Sequence, residues 1–253
     1  MGDRDKSKPV PVPQDRRGGE LDPGRGPDRG PDPGEVDAFL SELAATPKPQ
    51  RGERGRLIFA MDATASREPT WDTAIQIQAE MFSETAALGG LEVQLAWYRG
   101  FGQFRASEWV SDSKALVARM TDVRCLAGKT QIARVLKNAI VEAKRGRVGA
   151  LVFVGDAMEE DLDALGDLAG RLGLLGVRMF IFHEGRDGGV ARAFQQLAKL
   201  TGGACCAFNA GSAKQLRELL AAVAVYAAGG RAALEDYGKK KGGEVLKLTH
   251  QVR

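Results

Sequence analysis

Two unbroken apolar runs, each ending near an aspartate, constrain this sequence more than any other feature. The first is Leu-Ile-Phe-Ala-Met at residues 57–61, followed by Asp62. The second is Leu-Val-Phe-Val at residues 151–154, followed by Gly155 and Asp156. Such runs are typical of strands that are buried on both faces in a parallel sheet. The chain is therefore expected to contain a parallel sheet covered by helices.

The rest of the sequence alternates between strand and helix patterns. Residues 91–98 alternate with the period of a strand, and residues 104–110 follow a tight glycine turn at 100–102, which makes that strand antiparallel. Helices are predicted at residues 69–88, 114–120, 132–143, 161–172, 190–200 and from 212 to about 228, and further strands at residues 178–183 and 204–208. With right-handed crossovers, this predicts a doubly wound, mostly parallel, Rossmann-like α/β sheet in the order 3-2-1-4-5-6, with one antiparallel edge strand and helices on both faces.

The chain of 253 residues is long enough for one large α/β domain with extensions at both ends. Residues 1–50 are rich in proline and glycine, so we expect a disordered arm with one short amphipathic helix near residues 35–44. That helix is equally compatible with docking on its own domain and with binding a partner. The folded domain is expected over residues 51–230, and residues 231–253 are expected to form a solvated, basic C-terminal tail.

Composition argues against several classes of function. A net charge of +3 gives no reason to expect nucleic acid or a membrane as a partner, and no apolar stretch approaches the ~20 residues that span a bilayer. The charged N-terminus lacks the apolar core of a signal peptide, so we expect a cytoplasmic protein. The abundance of alanine, glycine and arginine favours a bacterial source. The three cysteines follow no metal-binding spacing, and the adjacent Cys205 and Cys206 should point to opposite faces of a strand.

Oxygen-bearing side chains lie where several of these elements begin or end. Asp62 and Asp156 follow strands that are neighbours in the predicted order, where ligands bind beyond the carboxyl ends. Thr64 and Ser66 lie in the loop after Asp62, and Thr130 precedes a helix at the same edge of the sheet. Two carboxylates and three hydroxyls suit a hard cation, preferably Mg²⁺. Neutral hydroxyls leave such an ion with residual positive charge, which can attract one more carboxylate.

These residues resemble a known family. The segment from Asp62 to Ser66 resembles the Asp-x-Ser-x-Ser motif of von Willebrand factor A (VWA) domains, while Thr130 and Asp156 are similar to their second-loop threonine and third-loop aspartate. The resemblance covers about residues 56–228 and implies a metal-ion-dependent adhesion site (MIDAS). It implies that Thr64, Ser66 and Thr130 bind Mg²⁺, or Mn²⁺ or Ca²⁺, through hydroxyls, and that the two aspartates act directly or through water.

The same resemblance implies a function without catalysis. In the family, an Asp or Glu carboxylate of a bound protein takes the open position of the metal, so we expect a binding module that acts as an adaptor or subunit of an intracellular complex. Two departures concern the rim of the site. Thr64 replaces a more frequent serine, which keeps the hydroxyl and adds a methyl group, and Ala157 stands where a glycine is common.

The alternative is a phosphohydrolase similar to the haloacid dehalogenases. Asp62 would be its nucleophile, Asp156 its metal ligand, and Lys129 or Lys144 the cation that steadies the phosphoryl group. Against this interpretation, Thr64 lacks the carboxylate that those hydrolases use as a general acid. Two further strand–helix units also follow Asp156, which is more than that fold usually carries.

The acidic run at residues 159–163 has two interpretations. It can be a second metal site, or it can be a set of acids that the dipole of a following helix favours, and the second interpretation is preferred.

Overall fold

The structure, a computed structural model, describes residues 54–208 and 213–252. The expected arm at residues 1–50, with its helix near residues 35–44, lies outside the described residues. The first three residues of the expected domain also lie outside them.

The described residues contain one six-stranded sheet in the order β3-β2-β1-β4-β5-β6. Only β3 is antiparallel to its neighbour, and the other pairs are parallel. This confirms the predicted order and the antiparallel edge strand. The strands are β1 (Gly55–Asp62), β2 (Leu91–Arg99), β3 (Gln103–Val110), β4 (Ala150–Gly155), β5 (Arg178–Glu184) and β6 (Ala204–Phe208).

Helices cover both faces of the sheet, as predicted. They are α1 (Glu68–Ile77), α2 (Ala79–Thr85), α3 (Ser113–Thr121), α4 (Ile132–Arg145), α5 (Leu162–Leu174), α6 (Gly188–Leu200), α7 (Ala213–Lys241) and α8 (Gly243–Gln251), with short 3₁₀ turns at Ala65–Arg67 and Ala86–Leu88. Within the described residues, none of these helices is both long and apolar enough to cross a membrane.

The period of the strands divides the core into two layers. Leu57, Phe59 and Met61 of β1 pack with helices α1, α2, α3, α7 and α8, whereas Ile58 and Ala60 pack with α4, α5 and α6. Because successive side chains of a strand point to opposite faces, an unbroken apolar run can be buried on both. The parallel strands therefore lie between two apolar layers, and their polar residues are left at the strand ends.

The cysteines of β6 follow the same rule. Cys206 belongs to one layer and Cys205 packs against the other, so the prediction that they point to opposite faces is confirmed. These two thiols and that of Cys125 are free.

The segment expected as one helix over residues 69–88 is divided at Gln78. The backbone there has φ −64° and ψ −19°, which is wound more tightly than an ideal α-helix. The buried Gln78 amide also donates to Ser113 Oγ at 2.9 Å, which ties the break to the start of α3.

The region expected to be a solvated tail is helical and packed. α7 continues past residue 228 through a kink at Gly230 (φ 71°), and α8 follows it. Apolar side chains in this region belong to the core, namely Leu234, Tyr237, Val245, Leu248 and Val252. The three lysines at residues 239–241 are exposed. The prediction of a solvated tail was wrong. It was based on the lysine run, but the region also carries apolar residues at helical spacing on the opposite side.

Candidate metal centre

The carboxyl ends of β1 and β4 lie side by side, because the two strands pair in parallel with Met61 opposite Val154. Asp62 is the last residue of β1, and Asp156 follows the last residue of β4. A surface pocket of about 270 Å³ opens at this edge. The five residues predicted from the sequence all line it, namely Asp62, Thr64, Ser66, Thr130 and Asp156.

The loop after β1 turns back on the carboxylate that precedes it. Asp62 is 1% exposed, and its Oδ1 accepts a hydrogen bond from the Thr64 N–H group at 2.7 Å. The following 3₁₀ turn brings Thr64 Oγ1 to 3.4 Å from Ser66 Oγ. A short side chain that bonds the backbone two residues on is typical of aspartate in turns. The turn therefore orients one carboxylate and two hydroxyls toward the same pocket.

The loops after β1 and β4 meet through a side-chain contact. The Ser66 hydroxyl donates to Asp156 Oδ2 at 3.3 Å, across 90 residues of sequence. Ser66 and Asp156 thereby join the oxygen atoms of two distant loops in one chain of polar contacts.

The loop that carries Thr130 is tied to the loop after β4 by a reciprocal pair of hydrogen bonds. The Glu159 N–H group donates to Thr130 Oγ1 at 3.0 Å, and the Thr130 N–H group donates to Glu159 Oε2 at 3.1 Å. Thr130 is 7% exposed. The pair holds the Thr130 hydroxyl at the pocket without using both of its lone pairs.

Two of the acids at residues 159–163 cap helix N-termini. One caps the helix that follows them, as expected, and the other caps a helix that precedes them. Glu160 accepts from the N–H groups of Ile132 and Ala133, at 2.6 and 2.9 Å, and so caps α4. Asp161 accepts from the Ala164 N–H group at 2.8 Å and caps α5. Unpaired N–H groups at a helix start favour carboxylates. The sequence could indicate the helix that follows these acids but not α4, which precedes them.

Arg67 is a buried residue beside the site that sequence reasoning missed. The residue is 4% exposed, and its guanidinium forms an ion pair with Glu184, the last residue of β5. Thr70 Oγ1 donates to the same carboxylate at 2.6 Å. Arg67 Nη1 lies 3.6 Å from Asp156 Oδ2 and has no hydrogen-bond partner. Arg67 therefore connects the pocket to the end of β5.

Burial dominates the electrostatics at the floor of the pocket. It raises the pKa of the Asp62 carboxyl above its usual range, the Thr64 N–H group opposes this rise, and the charge of Asp156 adds to it. Tyr98 lies opposite Asp62 on β2, and burial followed by the charge of Asp62 raises its pKa well above the usual range. A divalent cation would relieve the repulsion between the buried Asp62 and the partly exposed Asp156.

The donor atoms fit a hard cation. Ligand oxygens at ~2.1 Å from an octahedral ion lie about 3 Å from their neighbours. The separations of 3.4 Å from Thr64 Oγ1 to Ser66 Oγ and 3.3 Å from Ser66 Oγ to Asp156 Oδ2 approach that spacing. In the part of the chain that is described, no three His, Cys, Asp or Glu side chains are grouped to hold a metal. A cation bound here would therefore depend on hydroxyls as well as carboxylates.

Neither lysine required by the phosphohydrolase alternative lines the pocket that holds the two aspartates. Lys144 belongs to the last turn of α4, at the opposite end of that helix from Thr130. Lys129 adjoins Thr130, but it is not among the residues that line the pocket. The two strand–helix units expected after Asp156 are present as β5 with α6 and β6 with α7.

Comparison by sequence identifies no relatives. No protein-family model matches the chain, and no curated protein matches it.

Comparison by structure identifies the fold. A von Willebrand factor type A structure from Catenulispora acidiphila is 13% identical, covers 67% of this chain and 42% of its own, and has a TM-score of 0.54. The SpRpn10 VWA domain is 16% identical, with 68% of this chain and 95% of that domain covered and a TM-score of 0.52. Proximal thread matrix protein 1 from the mussel byssus, with a zinc-occupied MIDAS motif, is 14% identical, with 68% and 48% covered and a TM-score of 0.51.

The chain thus spans less than half the length of the Catenulispora and mussel proteins but nearly all of the SpRpn10 domain. The described part of this chain has the fold of von Willebrand factor A domains.

Proposed function

We propose that this chain is a protein-binding module whose binding depends on a divalent cation, and that it acts as an adaptor or subunit of an intracellular complex. The cation is Mg²⁺, or Mn²⁺ or Ca²⁺, held by the hydroxyls of Thr64, Ser66 and Thr130 and by Asp62 and Asp156, directly or through water. A partner protein contributes an Asp or Glu carboxylate to the remaining position.

One observation carries the proposal. Ser66 Oγ lies 3.4 Å from Thr64 Oγ1 and 3.3 Å from Asp156 Oδ2, in a pocket that Thr130 and Asp62 also line. Residues with oxygen donors from three loops thus line one accessible pocket. Hydroxyls and carboxylates are the ligands of hard cations, and a site with only two carboxylates leaves the ion able to attract a third.

The surroundings explain why the ion would receive a partner carboxylate. A direct ion–carboxylate contact gains more in a crevice, where solvent screening is reduced, than on open surface. The mussel-byssus relative carries zinc in its MIDAS motif, which supports a cation at the corresponding place of this fold.

Thr130→Ala tests the proposal with a matched control in Thr201→Ala. Both threonines are buried and both hydroxyls accept one backbone N–H group, from Glu159 in the first case and from Met179 in the second. Thr201 precedes β6 and so lies at the opposite edge of the sheet. The two variants should lose similar stability, about 1 kcal/mol each, but only Thr130→Ala should lose binding.

The measurement is a quantitative pull-down from the source cells with full-length wild type and both variants, each with Mg²⁺ and with chelator. Proteins retained by wild type and Thr201→Ala in Mg²⁺ should be lost with chelator and with Thr130→Ala. The two losses should not add, because both act at one site. Retention that survives chelator and Thr130→Ala alike would overturn the proposed function.

A further inference from the structure

An exposed aromatic residue stands beside the candidate metal centre. Phe101 forms the tip of the turn between β2 and β3 and is 83% exposed. Asp62 lies opposite Tyr98 in the sheet, so this turn extends beyond the same edge at which the pocket opens. The Ala63 N–H group donates to the Tyr98 carbonyl at 2.9 Å, which attaches the loop after β1 to the strand that leads into the turn.

The turn is in direct contact with the wall of the pocket. Gly128 lines the pocket, and a Cβ atom added to it would lie 2.2 Å from the Gly100 carbonyl oxygen and 2.4 Å from the Gly100 Cα. Consecutive Cα atoms are about 3.8 Å apart, so the Cα atoms of Phe101 and Gly128 lie within about 8 Å of each other. Phe101 is therefore a neighbour of the metal centre.

Hydrogen bonds hold the turn in place from the Thr130 loop and α4. The Gly100 carbonyl accepts from the Lys129 N–H group and from Gln131 Nε2, both at 3.2 Å. Arg134 Nη1 donates to the Gly102 carbonyl at 2.6 Å. A backbone that is fixed before binding loses less entropy on binding, so an exposed aromatic residue on this turn is well suited to anchor a partner.

Leu126 is a second exposed apolar residue near the pocket. It is 46% exposed and precedes Ala127 and Gly128, which both line the pocket. Its N–H group donates to the Ala63 carbonyl at 3.0 Å, which fixes this stretch against the loop after β1. Phe101 and Leu126, which we name the apolar rim, flank the pocket where the turn and the Thr130 loop meet.

The charges on the Phe101 side of the apolar rim are positive, whereas Glu68 and Asp72 act on Cys125, which precedes Leu126. Arg99, Lys129 and Arg134 lie within the turn region or on the segment that holds it. Arg99 is itself ordered, because its guanidinium donates to Gln103 and to the Arg124 carbonyl. Glu159 supplies negative charge at the pocket, next to Thr130. Where a partner segment crosses Phe101, acidic residues would therefore favour its binding.

We infer that the apolar rim selects the partner: the recognised segment carries a large apolar side chain, such as Leu, Ile or Phe, at a set distance from the Asp or Glu that binds the cation. This inference rests on the proposed function, because the carboxylate sets the register of the segment. The apolar side chain covers Phe101 and Leu126, and acidic residues of the segment face Arg99, Lys129 and Arg134.

The test is selection from a display library of random nine-residue peptides in Mg²⁺, using the full-length chain. Four proteins are compared: wild type, Phe101→Ser, Thr130→Ala and the control Leu174→Ser. Leu174 is a fair match, because it is also exposed, at 58%, but ends α5 at the opposite edge of the sheet. Thermal unfolding of each variant establishes that it is folded.

Wild type and Leu174→Ser should enrich peptides with Asp or Glu and with an apolar residue at one spacing from it. Phe101→Ser should keep the acid preference, lose the apolar preference, and bind the best wild-type peptide at least about tenfold more weakly. Thr130→Ala should lose the acid preference.

Two outcomes separate this inference from the proposed function. Mg²⁺-dependent selection of Asp or Glu without an apolar preference, or with one that Phe101→Ser leaves unchanged, would overturn the apolar rim alone. Absence of any Mg²⁺-dependent acid preference with wild type would overturn the proposed function and the inference with it.

Discussion

The two edges of the sheet are built in opposite ways. At the amino edge, α7 closes directly over the strand starts: a Cβ on Gly55 would lie 2.4 Å from the Ala228 Cα, and one on Gly149 would lie 3.0 Å from the Ala227 carbonyl oxygen. At the carboxyl edge, a pocket remains open between loops, and charged groups such as Asp62 and Arg67 are buried beneath it. One edge is closed by backbone contact, and the other presents polar side chains at a surface.

This difference between the two edges predicts that substitutions at the amino edge mainly affect stability and that those at the carboxyl edge mainly affect binding. Close backbone packing leaves no room for a side chain at Gly55 or Gly149, so a substitution there should lower stability without affecting any ligand. At the carboxyl edge the polar residues that line the pocket are not part of the apolar layers, so their removal should affect binding more than folding. Arg67 is the exception, because it is buried at the binding edge and also holds two elements together.

The largest effect on stability is expected at Arg67. Arg67→Met removes the buried partner of Glu184 and should lower the free energy of unfolding by about 3–5 kcal/mol, because an uncompensated carboxylate stays in a site of low polarity. Urea denaturation measures it. The double variant Arg67→Met with Glu184→Met should recover most of the loss. A loss below about 1 kcal/mol in the single variant would mean that this pair behaves like an exposed one.

The closed edge gives the next largest effect. Gly55→Ala forces a methyl group against the α7 backbone and should cost about 1–3 kcal/mol, while leaving cation binding unchanged. Gly170→Ala is the control, because a Cβ at this helical position of α5 meets nothing within 4 Å. That variant should be as stable as wild type or up to about 1 kcal/mol more stable. Equal stability of the two variants would contradict the tight closure of the amino edge.

The reactivity of the three thiols measures how rigid the carboxyl-edge loop at Cys125 is in comparison with strand β6, which carries Cys205 and Cys206. Burial raises the pKa of the Cys125 thiol to about 11, of Cys205 to about 12 and of Cys206 to about 11. The thiolate reacts, so at pH 8 each native thiol should be alkylated at least about 100-fold more slowly than in urea, and its rate should rise about tenfold per pH unit. Mass spectrometry of iodoacetamide adducts measures this. Cys125 lies in the loop that leads to Gly128, and fast reaction there alone would mean that the carboxyl-edge loops open in solution.

Sequence patterns predicted the sheet and the pocket residues for the same physical reason. An apolar run must be buried, and the polar residue that ends it must then lie at the sheet edge, as Asp62 and Asp156 do. The position of Thr130 at this edge was predicted from the helix that it precedes. Arg67 could not be predicted in this way, because its burial depends on Glu184, which lies 117 residues away.

The remaining differences have similar causes. The packing of Leu234 and Val245 was hidden by the neighbouring lysines, since composition outweighed helical spacing in that interpretation. The turn at Phe101 was predicted from its glycines. Its position at the pocket depends on the close approach of Gly100 and Gly128, which no local pattern indicates.

The central claim is that the carboxyl edge binds one divalent cation through the five predicted residues. Calorimetric titration of the metal-free chain with Mn²⁺ tests it, with wild type, Asp156→Asn and Asp163→Asn side by side. Asp163 is an exposed acid in the first turn of α5 and does not line the pocket. The account predicts one site in wild type and Asp163→Asn, and an affinity at least about tenfold lower in Asp156→Asn. Equal binding by all three proteins, or none by wild type, would contradict it.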